Sequence, residues 1–344
     1  MCIITHRVIK SSTKSLPVQR EFGLWARPRL SAGRKLDSMT PWNFAYVADI
    51  QVGSPRSFRF APAWNDNWQT ARRQIAEQEP EFLLVGGDLT RDGYIHRYEL
   101  EDIKKDLEQL PFPVYSIPGN MDVGNKHSSR SGPLPGRDDR TLGITSQAAR
   151  QFEEAFGPLW WSVEHKNVRI NGICDMLLGS SLPEEQRLMA WLKNVAEAGK
   201  AQRQIWMFHY ALFMDSLSTP NYDITDPGQY LDWYFSIDHP HRDLLFDLLK
   251  TTGTSVVISG HIHCRRSLLY DGIRFDFAPA TCFSQHENRW PDGDPSLGFI
   301  RYTVDDEGVH PTFVPLRQLS TREGYGPGGH PSAEQRDYSL AWEK

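Results

Sequence analysis

No apolar run in this 344-residue chain approaches the roughly 20 residues needed to span a bilayer, which argues against an integral membrane protein. Cysteine is scarce. Cys2, Cys174, Cys264 and Cys282 are scattered, without the spacing of a small disulfide framework, and Cys264 reads as a small packing residue. Excess positive charge is also missing: the net charge of −5 offers no electrostatic footprint for duplex nucleic acid. There is no internal repeat and no interdomain linker. The first forty residues lack acid, with eight Lys or Arg against Glu21 and Asp37. They also lack the apolar core of a secretory signal. Residues 1–40 therefore read as a basic, disordered extension, or as sequence upstream of a true start at Met39, with an organelle transit peptide as the alternative. The expected compartment is cytoplasmic. Residues 318–344, with GYGPGGHP at Gly324 to Pro331, read as a Gly/Pro-rich loop or tail.

What the chain does have is a series of apolar, strand-like runs, each ending in polar residues able to bind metal. VADIQVG carries Asp49 and Gln51, LLVGGDLT carries Asp88, and YSIPGNMD carries Asn120 and Asp122. WMFHY carries His209, and ISGHIH carries His261 and His263, whose alternate positions on an extended backbone can face one centre. Between these runs, helical patterns at 65–78, 98–110 and 182–198 give an alternating β-α-β order. That order puts Asp49, Asp88 and Asn120 along one rim of a mainly parallel sheet. The alternating segments 273–277, 299–303 and 312–315 suggest a second sheet packed on the first. Interleaving of the polar residues from Asp49 to His263 argues for one large domain, 41–317.

Carboxylate and amide oxygens together with imidazole nitrogens, and no cysteine, suit two divalent ions of borderline hardness such as manganese, iron or zinc. One carboxylate lying between two such ions would bridge them, and paired ions serve in-line displacement at phosphorus.

The ordered set D-x-Q, GD, GN-x-D, H, GHxH resembles the calcineurin-like metallophosphoesterase superfamily, over about Trp42 to Pro315. The segments GNMDVGN, PEEQRLMAWLKN and HYALFMDS resemble the subgroup named for its calcineurin-like phosphoesterase domain, some members of which are regarded as serine/threonine protein phosphatases. The resemblance implies a four-layer α/β/β/α sandwich of two mixed sheets. It implies that Asp49, Gln51, Asp88 and His263 hold one metal, that Asp88, Asn120, His209 and His261 hold the other, and that Asn120 and Asp122 take part in catalysis.

The chain departs from the family pattern at Met121, where the pattern has a histidine that contacts the scissile phosphate and helps protonate the leaving group. A thioether does neither. Losing a general acid costs roughly 10² to 10⁴ in rate, mainly on poor leaving groups. His127 and His286 are candidates to replace it. Two insertions stand near the motifs: Gly124 to Arg140, with Lys126, Arg130, Arg137 and Arg140 as a possible phosphate clamp or a solvated loop, and Asn221 to Pro240, with Tyr222, Tyr230, Trp233, Tyr234 and Phe235 for stacking or for packing beneath the loop. The expected function is dinuclear metal-dependent hydrolysis of a phosphorylated small molecule or phosphoprotein. The alternatives are a phosphodiesterase or nucleotide diphosphatase, and a catalytically weak protein that binds a phosphorylated ligand.

Overall fold

The computed structural model describes residues 39–127, 142–224, 226–285, 288–331 and 333–339, so the basic leader lies outside it. Strand β1 (Trp42–Val47) shows why the chain layers as it does. Its residues alternate between two apolar surfaces, with Trp42, Phe44 and Tyr46 in one cluster and Ala45 and Val47 in another. The same alternation holds in β6 (Arg203–Met207), where Ile205 and Met207 face the first cluster and Trp206 the second, and in β7 (Val256–Ser259). A strand buried on both faces needs a partner layer on each.

The first cluster lies between two sheets. One sheet has the order β11-β10-β1-β2-β3, with β2 at Leu83–Gly86, β3 at Val114–Ile117, β10 at Gly298–Val304 and β11 at Val309–Pro315. The other has the order β4-β5-β6-β7-β9-β8, with β4 at Trp160–His165, β5 at Val168–Ile173, β8 at Arg266–Tyr270 and β9 at Ile273–Phe277. Both are mixed: β1, β2 and β3 are parallel while β10 runs antiparallel to β1, and β5, β6, β7 and β9 are parallel between antiparallel edges.

Helices cover the outer faces. Trp68 and Ile75 of α1 (Pro62–Glu77) and Leu100, Ile103 and Leu107 of α2 (Arg97–Leu107) join the core on the side of β2. Leu188 and Leu192 of α5 (Pro183–Ala198) and Leu245 and Leu249 of α7 (His241–Thr251) join it on the side of β6 and β7. The remaining helices are α3 (Asn120–Val123), α4 (Ser146–Phe156) and α6 (Pro227–Phe235). This is the expected α/β/β/α sandwich.

Two expectations need correction. Strands β10 and β11 do not belong to the second sheet; β10 pairs with β1, placing Ile300 and Tyr302 beside Phe44 and Tyr46 in the inter-sheet core. Alternation reveals which faces are buried, and it is silent about which strand is the neighbour. Asp49, Asp88 and Asn120 follow the C-terminal ends of the adjacent parallel strands β1, β2 and β3, on one rim as expected, while β6 and β7 deliver the histidines from the other sheet. Finally, the chain beyond β11 is no free tail. Ser320 bonds Asp66 and Asn67, Phe60 and Tyr325 exchange backbone hydrogen bonds, and Arg59 donates to the carbonyls of Pro327 (3.2 Å) and Gly329 (2.6 Å). Among the described residues no helix is long and apolar enough to cross a membrane.

Candidate metal centre

Each candidate side chain lies within a few residues of a strand end, and at most of them the backbone is strained. Nine non-glycine residues of the described chain have positive φ, and five of them are Asp49, Gln51, Asp88, His261 and His263. L-residues adopt that region at a cost of about 1–3 kcal/mol each, and such costs concentrate where geometry serves function. Crowding at Gly119 has the same origin: an added Cβ would lie 2.2 Å from the Asp88 carboxylate and 2.7 Å from the His209 ring, so only glycine lets the third loop approach the second.

The loops bring two triplets together. Ligand atoms of Asp88, His209 and His261 lie within 4.8 Å of one another, as do those of Asp49, Asp88 and His263, and all five residues are buried. Asp88 belongs to both. The imidazoles are aimed by bonds on their far sides. His209 Nδ1 lies 2.9 Å from the Gly86 carbonyl, leaving Nε2 to face Asp88. His261 Nε2 lies 3.0 Å from the Tyr234 carbonyl, leaving Nδ1, and His263 Nδ1 lies 2.9 Å from the Phe283 carbonyl, leaving Nε2 toward Asp49. Asn120 donates through Nδ2 to Asn125 Oδ1 (3.0 Å), which turns its own Oδ1 to within 3.0 Å of His209 Nε2. Asp175 accepts from the backbone N–H groups of His209 and Tyr210, both at 2.8 Å, and fixes that loop. Oxygen and imidazole donors without thiolate, with tautomers set from behind, fit a pair of divalent cations.

Gln51 stands differently. Its Oε1 accepts from Arg91 at 3.3 Å, while its Nε2 donates to Asp88 at 3.1 Å and approaches His263. An amide N–H₂ has no free lone pair for a metal, so ligation by Gln51 requires the amide to turn. Asp122 lies behind the Asp88 loop. It is fully buried, and its oxygens accept from the N–H groups of Leu89, Thr90 and Gly119 and from the Thr90 hydroxyl. Four donors occupy the carboxylate, which braces the Asp88 loop against Gly119, and burial together with the Asp88 charge raises its pKa to about 7. His127 lies away from the cluster, bonded to the Ile144 carbonyl, and His286 is outside the described residues. Of the basic loop, Lys126 is buried against Ser236, Asp238 and Trp233 rather than offered to a phosphate, and Arg130, Arg137 and Arg140 lie outside the described residues. In the aromatic insertion Trp233 and Phe235 pack into the interior, and Tyr234 alone reaches Asn120.

Burial acts to lower the His209 pKa, but the Asp88 carboxylate beside it raises it to about 10. Burial likewise acts to raise Asp88, and His209 brings it down to about 2. Without metal the pair is thus an ion pair, and a cation taking His209 Nε2 must displace a proton. The sign follows: affinity at that position rises with pH, by about tenfold per unit between pH 6 and 8, with one proton released per ion. Manganese titration of metal-free protein at pH 6, 7 and 8 measures this, and a pH-independent affinity would contradict it.

With this geometry established, comparison with known proteins decides the family. The model of the calcineurin-like phosphoesterase family matches residues 43–265, well over half of the chain. The chain belongs to the calcineurin-like phosphoesterase family. It is a phosphoric ester hydrolase by class. A zebrafish relative, the serine/threonine-protein phosphatase CPPED1 of Danio rerio, is 22% identical over 330 residues, covering 87% of this chain and 94% of the relative. Among solved structures, purple acid phosphatase PPD1 from yellow lupin seeds superposes with a TM-score of 0.56 at 12% identity, over 83% of this chain and 53% of that one. GAP50 of Plasmodium superposes with a TM-score of 0.52 at 14% identity, over 88% of this chain and 93% of that one. These two likenesses speak for the fold.

Sequence reasoning missed four residues in or beside the centre. Asp175 follows the apolar end of β5, so the rule that found Asp49 and Asp88 applies to it as well. Arg91, Asn125 and His330 carry no such signal.

Proposed function

We propose that the chain is a dinuclear metal-dependent phosphatase acting on phosphomonoesters or phosphoproteins. The observation that carries this is Asp88, shared between two buried triplets of ligand atoms. Asp49, Asp88 and His263, with Gln51 if its amide turns, would hold one ion, and Asp88, Asn120, His209 and His261 the other. Divalent ions so paired supply neutralisation of phosphate charge and a hydroxide nucleophile near neutral pH.

The chain's own contribution is to receive the anion. Arg91 is buried and, among the described residues, forms no ion pair. Its guanidinium lies 4.3 Å over the Trp64 ring, with one N–H toward Gln51. Burial and the nearby Arg59 lower its pKa to about 10, so it keeps its charge at neutral pH. A buried cation with unused N–H donors beside a metal cluster suits a phosphate. Arg91→Met is expected to raise KM for a phosphoester about tenfold or more while both ions stay bound; an unchanged KM would remove Arg91 from the substrate.

The similarity to CPPED1 supports a phosphoprotein substrate. Met121 favours the second reading, a phosphodiesterase or nucleotide diphosphatase, because better leaving groups need less acid assistance. Protein loaded separately with Mn²⁺, Fe²⁺ or Zn²⁺ should be assayed on aryl phosphates, bis-aryl phosphates, nucleotide diphosphates and phosphopeptides. Highest kcat/KM on monoesters or phosphopeptides supports the first reading, and preference for diesters or diphosphates the second. Binding of a phosphorylated ligand without turnover of any of them would overturn both.

A further inference from the structure

The C-terminal segment passes beside the candidate metal centre at His330. His330 Nε2 lies 2.8 Å from the Tyr234 hydroxyl and 3.4 Å from Asn120 Nδ2, next to the residue that faces His209. The segment is held there from both sides. Arg59, itself paired with Asp92, grips the carbonyls of Pro327 and Gly329, while the Tyr325 hydroxyl donates to Pro55. Positive φ at Gly326 and Gly329 turns the chain inward just before the histidine.

The hydrogen-bond network fixes the tautomer. Asn120 Nδ2 has two hydrogens and can only donate; one goes to Asn125 Oδ1 and the other to the Tyr234 oxygen, each at 3.0 Å. Tyr234 then accepts from Asn120 and has its single hydrogen to give to His330 Nε2. The neutral ring therefore carries its proton on Nδ1, a buried atom with no partner among the described residues. A buried N–H without an acceptor has lost its hydration without replacement. The fold thus holds an unsatisfied donor on the ring whose other nitrogen touches Tyr234 and Asn120, on a segment that it anchors with a buried ion pair.

We propose that His330 is a substrate-contacting residue: its imidazole donates a hydrogen bond to the bound phosphate, supplying from the C-terminal segment the side chain that the family pattern has where this chain has Met121. Tyr234 positions the ring. This rests on the phosphatase reading above, since the oxyanion that satisfies the donor is the one the metal centre receives.

The test is the affinity of the metal-loaded full chain for inorganic phosphate, measured by calorimetry for wild type, His330→Ala and His330→Gln, with metal content and melting temperature recorded for each. Both variants are expected to keep two ions and the wild-type melting temperature. His330→Ala should weaken phosphate binding about ten- to hundredfold, and Tyr234→Phe severalfold. An affinity within twofold of wild type for both His330 variants would overturn the proposal. So would loss of metal from both variants, because His330 would then act by supporting Asn120, and so would failure of the loaded wild type to bind phosphate. Wild type that binds phosphate, loses affinity on His330→Ala and yet turns over no phosphoester would defeat the phosphatase reading alone.

Discussion

Asp88→Asn is expected to strip the protein of both metal ions and to lower turnover by at least about 10³-fold. The substitution preserves shape, and the new side chain can still accept from the Met121 N–H, which lies 2.8 Å from Oδ1 in the parent. What it removes is charge. In the proposed centre that carboxylate lies between two cations, so its loss deletes a ligand from each and leaves them repelling with less screening. Transition-state stabilisation by a metal pair amounts to several kcal/mol, and about 4 kcal/mol corresponds to 10³ in rate. The measurement is metal content by mass spectrometry alongside kcat. Two ions per chain retained by the variant would take Asp88 out of the bridge.

Arg59→Leu should produce the largest stability loss of any single change considered. Arg59 and Asp92 form a two-pronged ion pair at 2.5 and 2.6 Å with side chains 1% and 0% exposed. Breaking such a pair from one side costs about 3–5 kcal/mol, because the remaining charge stays buried without its partner. The neighbourhood makes relief difficult. Glu99 accepts from the Asp92 N–H, and burial together with Asp92 pushes its pKa up to about 8, so the site already resists a second negative charge. Denaturant unfolding measures the loss, and a value below about 1 kcal/mol would show that Asp92 finds another partner. Arg59→Leu with Asp92→Leu should recover much of the stability without restoring the grip on Pro327 and Gly329. The double variant therefore separates stability from the position of His330.

Much of the centre was legible in the sequence for a specific reason. A fully buried strand is written as an apolar run, and a polar residue immediately after it stands out; Asp49, Asp88, Asn120, His209, His261 and His263 all obey this. Asp175 obeys it too, but VRINGI carries Arg169 and Asn171, which masked β5 as a strand. Sheet membership was not legible, since β10 reads alike whether it neighbours β1 or β9. Nor was the role of Asp122, where only coordinates reveal four donors around one carboxylate. His330 was least legible of all. It lies in a Gly- and Pro-rich stretch without periodicity, and its significance depends on contacts with Tyr234 and Asn120 that are 96 and 210 positions away.

Those separations bear on the order in which the molecule can be made. The segment's anchor, from Arg59 to Gly329, spans 270 positions, so it closes one of the longest loops the chain contains. A growing chain that has reached residue 316 already possesses every described strand of both sheets and every candidate ligand from Asp49 to His263, enough to pack a core. The strap carrying His330 can dock only after that body exists, because its binding surface is the finished α1 and the loop before it. Contacts of such range form late. Assembly of the candidate ligand cluster and docking of the proposed phosphate contact are thus separate events in biosynthesis, the first belonging to the folding of the sandwich and the second to the arrival of the segment after β11.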